Sequence, residues 1–372
     1  MTTLLRASGS AEFLQMVPSL AGFTPRDSLV LLPFHGSRTS GAMRLDLPHD
    51  DVRTEDYADA AIGLVSRVRA ADAVALVVYT DDDVHVTPEG LVLPFAIAVD
   101  EVLQRADESG LRIVDALCVT RGGWSSYLDD DPQLRMLDPR VPAVPGVGDV
   151  SGDQRSGAEL PPTDLAETER VGRALRDIDA LLERTRGQGP TGQENPQAIA
   201  ALLLLDDVPA FFEAAITAPD DLPPFAIAAL LWCLDRPLFR DVALVQWATD
   251  AVGGMRTLEA QLSFADTRSS VPDDLGDVFL GRGPTPDPER LRRALFLVRI
   301  AAARAPRASR PAPLTAAAWL SWALGRASHA AHYLDLVRAI DPEYGLAALL
   351  ETMIAAAVLP EWAFRRGATS AT

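Results

Sequence analysis

The chain contains no lysine; every one of its basic residues is arginine. A P-loop lysine on a phosphate, a Schiff-base lysine and a Ser–Lys dyad are therefore all excluded. With the abundance of alanine, this absence reads as the coding bias of a GC-rich genome. Cysteine is nearly absent. Cys118 and Cys233 each sit in an apolar run and form no C-x-x-C pair, which excludes a disulfide framework and a cysteine zinc site. No stretch reaches the roughly 18 uncharged apolar residues of a membrane-spanning helix. Near the start, Arg6 is followed by Ser8, Gly9 and Glu12 rather than by the apolar core of a signal peptide. Together these absences predict a cytoplasmic protein.

Positive charge is scarce as well. Net charge is −18, with 23 acidic residues against 12 arginines in 1–150 and 29 against 22 in 151–372. Neither half has the basic footprint of a nucleic-acid binder, so no nucleic-acid partner is expected. An anionic membrane surface is disfavoured for the same reason. Gly122-Gly123 follows a strand, but neither G-x-G-x-x-G nor G-x-x-x-x-G-K-S/T accompanies it, so no nucleotide-binding motif is present. A G-x-S-x-G element is also missing, which disfavours an α/β-hydrolase.

What is present is enough apolar residue, 48% of 372, for the cores of two domains. Residues 10–21 have the apolar spacing of a short helix, with Gly22 placed to end it. Residues 28–34 are a compact apolar run, a buried strand, and 40–47 alternate as a second strand joined to the first by a hairpin loop. A helix over 53–70, a strand over 74–79, a helix over 91–109 and a strand over 111–119 follow. The predicted fold of 1–160 is thus an α/β domain of order α-β-β-α-β-α-β, a β-hairpin plus parallel strands joined by helices. Its tail from about 129 is rich in Pro and Gly, with room for one strand at 141–150.

Residues 163–372 read as an all-α domain of helical hairpins. Helices are predicted at 163–186, 196–206, 208–217, 223–234, 237–251, 287–304, 313–325, 328–340 and 343–358. Prolines stand near six of the starts, where a helix tolerates them. A break at 187–192 and a long loop at 265–286 interrupt the pattern. Within 311–344, Ala318, Gly325, Ala330, Leu334 and Asp341-Pro342 fall where a tetratricopeptide hairpin wants small, small, small, large and proline. Trp319, Trp322, Leu336 and Ile340 are placed for the interior of that hairpin.

Several segments resemble a family described as domain of unknown function 4192, found in actinobacteria. The residues that carry the resemblance are Phe13-Leu14, Val17-Pro18, the run from Leu20 to Val30, Arg44 to Leu47, Trp124 to Tyr127 and Asp341-Pro342. The resemblance supplies no activity. The family pattern often has a cysteine soon after the Trp…Ser-Tyr element and then a Cys-Cys-Pro run. Here the chain reads Tyr127-Leu128-Asp129-Asp130-Asp131-Pro132, which puts any thiol chemistry in doubt.

The candidate ligand residues follow from topology. If the first strand runs against the second, third and fourth, its start and their ends share one edge of the sheet. Open α/β sheets bind ligands at the carboxyl ends of their parallel strands. That edge should carry Arg26, Asp27, His49, Asp50, Asp81, Asp82, Arg121 and Trp124, with Ser126 and Tyr127 just beyond. The acidic clusters Asp50-Asp51, Asp81-Asp82-Asp83 and Asp129-Asp130-Asp131 could hold a divalent cation, the one cofactor class the sequence leaves open, although each alone reads as a solvated turn. Carboxylates so crowded also repel, so that one should keep its proton or bind a cation. His329 and His332 share a helix face without further ligands, and read as packing or surface residues. Arg44 and Asp46 share a strand face and read as an ion pair.

Two functional readings follow. The first is a non-enzymatic interaction or regulatory protein that docks a protein partner through its helical half. The alternative is a small-molecule or divalent-metal-dependent enzyme with its site at the strand ends of the α/β domain.

Overall fold

The computed structural model describes residues 7, 9–39, 41–68, 70–88, 90–137, 152–185, 195–270, 272–356 and 358–364. The expected strand at 141–150 and the break at 187–192 lie outside the described residues. The chain divides into two compact units, Met1–Ser156 and Gly157–Thr372. Among the described residues no helix is long and apolar enough to cross a membrane.

The first unit is α/β. Its elements are α1 (Ser10–Ala21), β1 (Ser28–Phe34), β2 (Met43–Asp46), α2 (Thr54–Ser66), β3 (Ala73–Tyr79), β4 (His85–Thr87), β5 (Gly90–Val92), α3 (Ala96–Glu108), β6 (Arg112–Thr120) and β7 (Gly123–Ser126). Five strands form one sheet in the order β2-β1-β3-β6-β7, and β4 and β5 form a separate hairpin. β1 is antiparallel to both β2 and β3, β3 is parallel to β6, and β7 folds back antiparallel on β6.

Burial explains the order. Every residue of β1 and β3 is buried, so these strands need cover on both faces and take the middle of the sheet. β2 is short and only half-buried, which suits an edge. Side chains alternate as a strand requires. Leu29, Leu31, Val74, Leu76 and Val78 pack on the face shared with Tyr57, Ile62, Val99 and Val102 of α2 and α3. Val30, Leu32, Ala75, Val77 and Tyr79 pack on the opposite face with Leu14 and Val17 of α1.

Three short strands are additions to the predicted order. β5 occupies the start of the segment predicted as a helix from residue 91. Pro94 disfavours the helical region for Leu93, so the helix begins only at Ala96. β7 is set by Gly123, whose φ of +138° and whose 2.5 Å approach between a built Cβ and the Arg135 carbonyl oxygen leave no room for a side chain.

The second unit is all-α. Its helices are α4 (Leu165–Thr185), α5 (Pro196–Leu205), α6 (Val208–Thr217), α7 (Pro224–Leu234), α8 (Pro237–Ala248), α9 (Ala251–Thr267), α10 (Asp273–Phe279), α11 (Pro288–Arg304), α12 (Pro311–Ala323), α13 (Ala327–Arg338) and α14 (Gly345–Ala355). Proline stands in the first turn of α5, α6, α7, α8, α11 and α12, where its missing N–H removes no intrahelical bond. Asn195, Asp207, Asp250 and Asp287 cap α5, α6, α9 and α11 by accepting from backbone N–H groups.

The stretch 265–286, predicted as a loop, contains α10. Asp273 and Asp274 favour its first turn, and Leu275 and Val278 bury its one apolar side. α12 is buried along its whole length, so it forms the centre of the unit and α13 packs along it across a turn at Gly325. Trp319 and Trp322 donate their indole N–H groups to the carbonyls of Phe279 at 3.0 Å and Val358 at 2.7 Å. On α13 the core side is made by Tyr333, Leu334 and Val337, while Leu336 and Ile340 are only half-buried.

Candidate functional site

Strand register fixes one edge of the sheet. Ser28 pairs with Asp46 on one side and Tyr79 on the other, Tyr79 pairs with Val119, and Val119 with Trp124. The start of β1 and the ends of β2, β3 and β6 therefore stand in one row. A cleft of about 630 Å³ opens there. Its floor is the end of the sheet, with Tyr79 at the end of β3, Thr80 and Asp81 after it, and Val119, Thr120 and Arg121 at the end of β6. One wall is α1, through Leu14, Gln15 and Pro18, and the corner Thr24-Pro25-Arg26-Asp27 and Leu137 complete it.

The corner is held by its backbone. Gln154 accepts from the Arg26 N–H at 3.1 Å and donates to the Arg26 carbonyl at 2.9 Å, which also accepts from the buried Ser28 hydroxyl at 2.5 Å. Arg44, on β2, donates to that hydroxyl at 2.6 Å and pairs with Asp46. Asp27 adopts a φ of +43°, a left-handed conformation that a non-glycine residue keeps only when its surroundings impose it. The bracing of Arg26 is through its main chain. Among the described residues the exposed side chains of Arg26 and Asp27 make no hydrogen bond or ion pair.

The other two charges on the cleft satisfy each other. Arg121 donates to Asp81 at 2.8 Å. That hydrogen bond holds the Asp81 carboxyl below its ordinary range. At Asp81 the Arg121 guanidinium, rather than the crowding of carboxylates, sets the direction.

Two neutral groups add polarity to the apolar side. Tyr79 is 9% exposed, and its hydroxyl is buried with no hydrogen-bond partner among the described residues. Burial pushes its phenol well above the usual tyrosine range, so the hydroxyl keeps its proton and can donate. Pro18 sits inside α1 and has no N–H to give the carbonyl of Leu14 one turn earlier. The helix wall thus carries a backbone acceptor without its usual donor.

Of the residues named from the sequence, the cleft brings together Arg26, Asp27, Asp81 and Arg121. His49, Asp50 and Asp82 are exposed on the same edge but do not line it. Trp124 is 5% exposed and packs in the α1-side core, with Arg135 over its ring at 5.1 Å. Ser126 and Tyr127 lie elsewhere, because β7 carries the chain back along β6. The Ser126 hydroxyl bonds the Ala116 carbonyl at 3.3 Å, and the Tyr127 hydroxyl bonds the Pro94 carbonyl at 2.6 Å. Among the described residues no group of three or more His, Cys, Asp or Glu side chains is placed to hold a metal ion, so the acidic clusters form no such donor set there. Sequence reasoning missed Tyr79, Thr80, Gln15 and Pro18. A proline in mid-helix was the one signal that marked any of them.

The pattern of the family described as "Domain of unknown function (DUF4192)" matches residues 11–264, which takes in the cleft and runs on into α9. No curated protein and no solved structure matches the chain.

Proposed function

The chain belongs to the DUF4192 family, and since membership brings no activity with it, we propose from the geometry that the first unit binds a small zwitterionic ligand at the edge of its sheet. The observation that carries this reading is the Arg26–Asp27 corner. A guanidinium and a carboxylate, neither hydrogen-bonded nor ion-paired among the described residues, stand next to each other in the chain on the rim of a cleft of about 630 Å³. An anionic group of the ligand meets Arg26 and a cationic group meets Asp27. Leu14, Pro18 and Val119 cover the apolar part, in keeping with small-molecule sites that are largely apolar with a few placed polar groups.

The test uses free α-amino acids as zwitterionic probes, with matched carboxylic acids lacking the amine and matched amines lacking the carboxylate. Calorimetry on the full chain should show heat with zwitterions. Either half-molecule should bind at least about tenfold more weakly, the factor expected for losing one charge-assisted contact. Arg26→Gln and Asp27→Asn should each lower zwitterion affinity. Asn tolerates the left-handed backbone at position 27, so the second variant tests charge rather than fold. No heat from any probe class, or heats unchanged in both variants, would sink the reading.

A further inference from the structure

The second unit carries a groove that the first unit's ligand site does not involve. It has a volume of about 340 Å³ and lies where the α5–α6 junction, α8 and α9 meet. From α9 it is lined by Met255, Leu258, Glu259 and Leu262, at spacings i, i+3, i+4 and i+7 on one helix face. Leu205, Val208, Pro209 and Phe239 form the other side.

α9 is unusual in the unit for how little of it is covered. Only Gly254 and Thr257 are buried, and the helix packs on α8 and α6. Met255 and Leu262 remain 48% and 51% exposed, although they are among the helix's largest apolar side chains. Leu258 on this face packs against the core of the unit, whereas Met255 and Leu262, one turn to either side of it, are left about half-exposed among the described residues.

Charge says what would cover it. Every charged residue on the groove is acidic: Asp206, Asp207 and Glu259, with no arginine among the lining residues. The Asp207 carboxylate caps α6, but Asp206 and Glu259 make no hydrogen bond or ion pair among the described residues. We infer that this groove docks an amphipathic helix of a protein partner, with apolar side chains at helical spacing on one face and lysine or arginine flanking them. The apolar side chains fill the trough between α9 and the α5–α6 junction, as in helix-in-groove recognition. The flanking cations meet the three carboxylates and fix the orientation. Met255 has the flexible side chain that adapts to such a face.

The probe is a designed peptide of about 15 residues, long enough for four helical turns, with leucines at i, i+3, i+4 and i+7 and flanking lysines. A second peptide replaces the lysines with glutamates. Fluorescence anisotropy against the full chain should show binding of the basic peptide only, weakening as salt is raised. Leu262→Asp should weaken that binding about tenfold or more, as loss of an anchor side chain does. Asp206→Asn/Glu259→Gln should weaken it and flatten its salt dependence. All three positions are exposed, and an unchanged circular dichroism melt would show that the variants fold. Binding of neither peptide overturns the inference. So does equal binding of both. Basic-peptide binding unmoved by Leu262→Asp would reduce it to general attraction by an acidic surface and overturn it as well. Concentration-dependent self-association abolished by Leu262→Asp would assign the groove to a second copy of the chain and overturn the partner helix.

Discussion

At the scale of single residues, the Tyr79 hydroxyl is one of several buried side-chain groups without a hydrogen-bond partner among the described residues. A buried donor without a partner opposes folding by about 1–3 kcal/mol. Tyr79→Phe should therefore leave stability unchanged or raise it, measured by urea denaturation. A loss of more than about 1 kcal/mol would mean that the protein itself uses the hydroxyl. Glu213 is the opposite case. Arg290 donates to it at 2.9 Å, Gln246 donates to it at 2.8 Å, and Arg290 also donates to the Gln246 carbonyl at 3.0 Å, which ties α6, α8 and α11 together. The Arg290 hydrogen bond holds the Glu213 carboxyl below its reference value of 4.5. A lowered pKa contributes stability that is complete above the unfolded value and is lost as pH falls through the folded one. Glu213→Gln should cost about 1.5–3 kcal/mol at neutral pH. The gap from wild type should begin to narrow as pH falls below about 4.5 in thermal melts taken across the acid range. The charged half of the candidate site was legible from residue positions alone, because Arg26, Asp27, Asp81 and Arg121 stand at strand ends. Tyr79 was not, since an aromatic at the end of an apolar strand reads as core. Ser126 and Tyr127 were misplaced because a four-residue strand after Gly123 leaves too short a pattern to detect.

Among the elements, α9 shows how a helix is placed by what it lacks. A Cβ built on Gly254 would come 2.0 Å from the Gln246 side-chain oxygen and 2.6 Å from its Cδ. Gln246 cannot swing away, because its amide donates to the Pro209 carbonyl at 2.7 Å and to Glu213. Gly254→Ala should raise intrinsic helix propensity by about 1 kcal/mol yet lower stability overall, since overpacking of this kind costs about 1–3 kcal/mol. A variant with a higher melting temperature would show that α8 and α9 are not closely packed there. The same glycines explain why α9 was not legible as an element: Gly253-Gly254 reads as a break until the close approach is seen. The long helices α4 and α11, with full amphipathic periods, were read to within about two residues, the usual uncertainty of helix ends. Strand order was harder. The hairpin of β1 and β2 followed from its short loop, but the place of β3 beside β1 rather than β2 depended on two-sided burial of the run from Ser28 to Phe34.

For the molecule as a whole, the cores are separate. One apolar cluster draws only on residues from Ala158 onward, and two others lie on the two faces of the sheet within the first unit. A fragment beginning at Gly157 should therefore keep a helical circular dichroism spectrum and a cooperative melt. A fragment that lacks a transition would show that the second unit depends on the first. Within the second unit the burial of α12 has a kinetic counterpart. Every residue from Pro311 to Ala323 is buried, so no face of this helix can reach solvent while its neighbours stay in place. Its amide protons should exchange with deuterium only through global opening of the unit, whereas those on the exposed face of α9 should exchange through local fluctuation at far lower free energy. The slowest-exchanging amides of α12 then report the unfolding free energy of the whole helical unit, without denaturant.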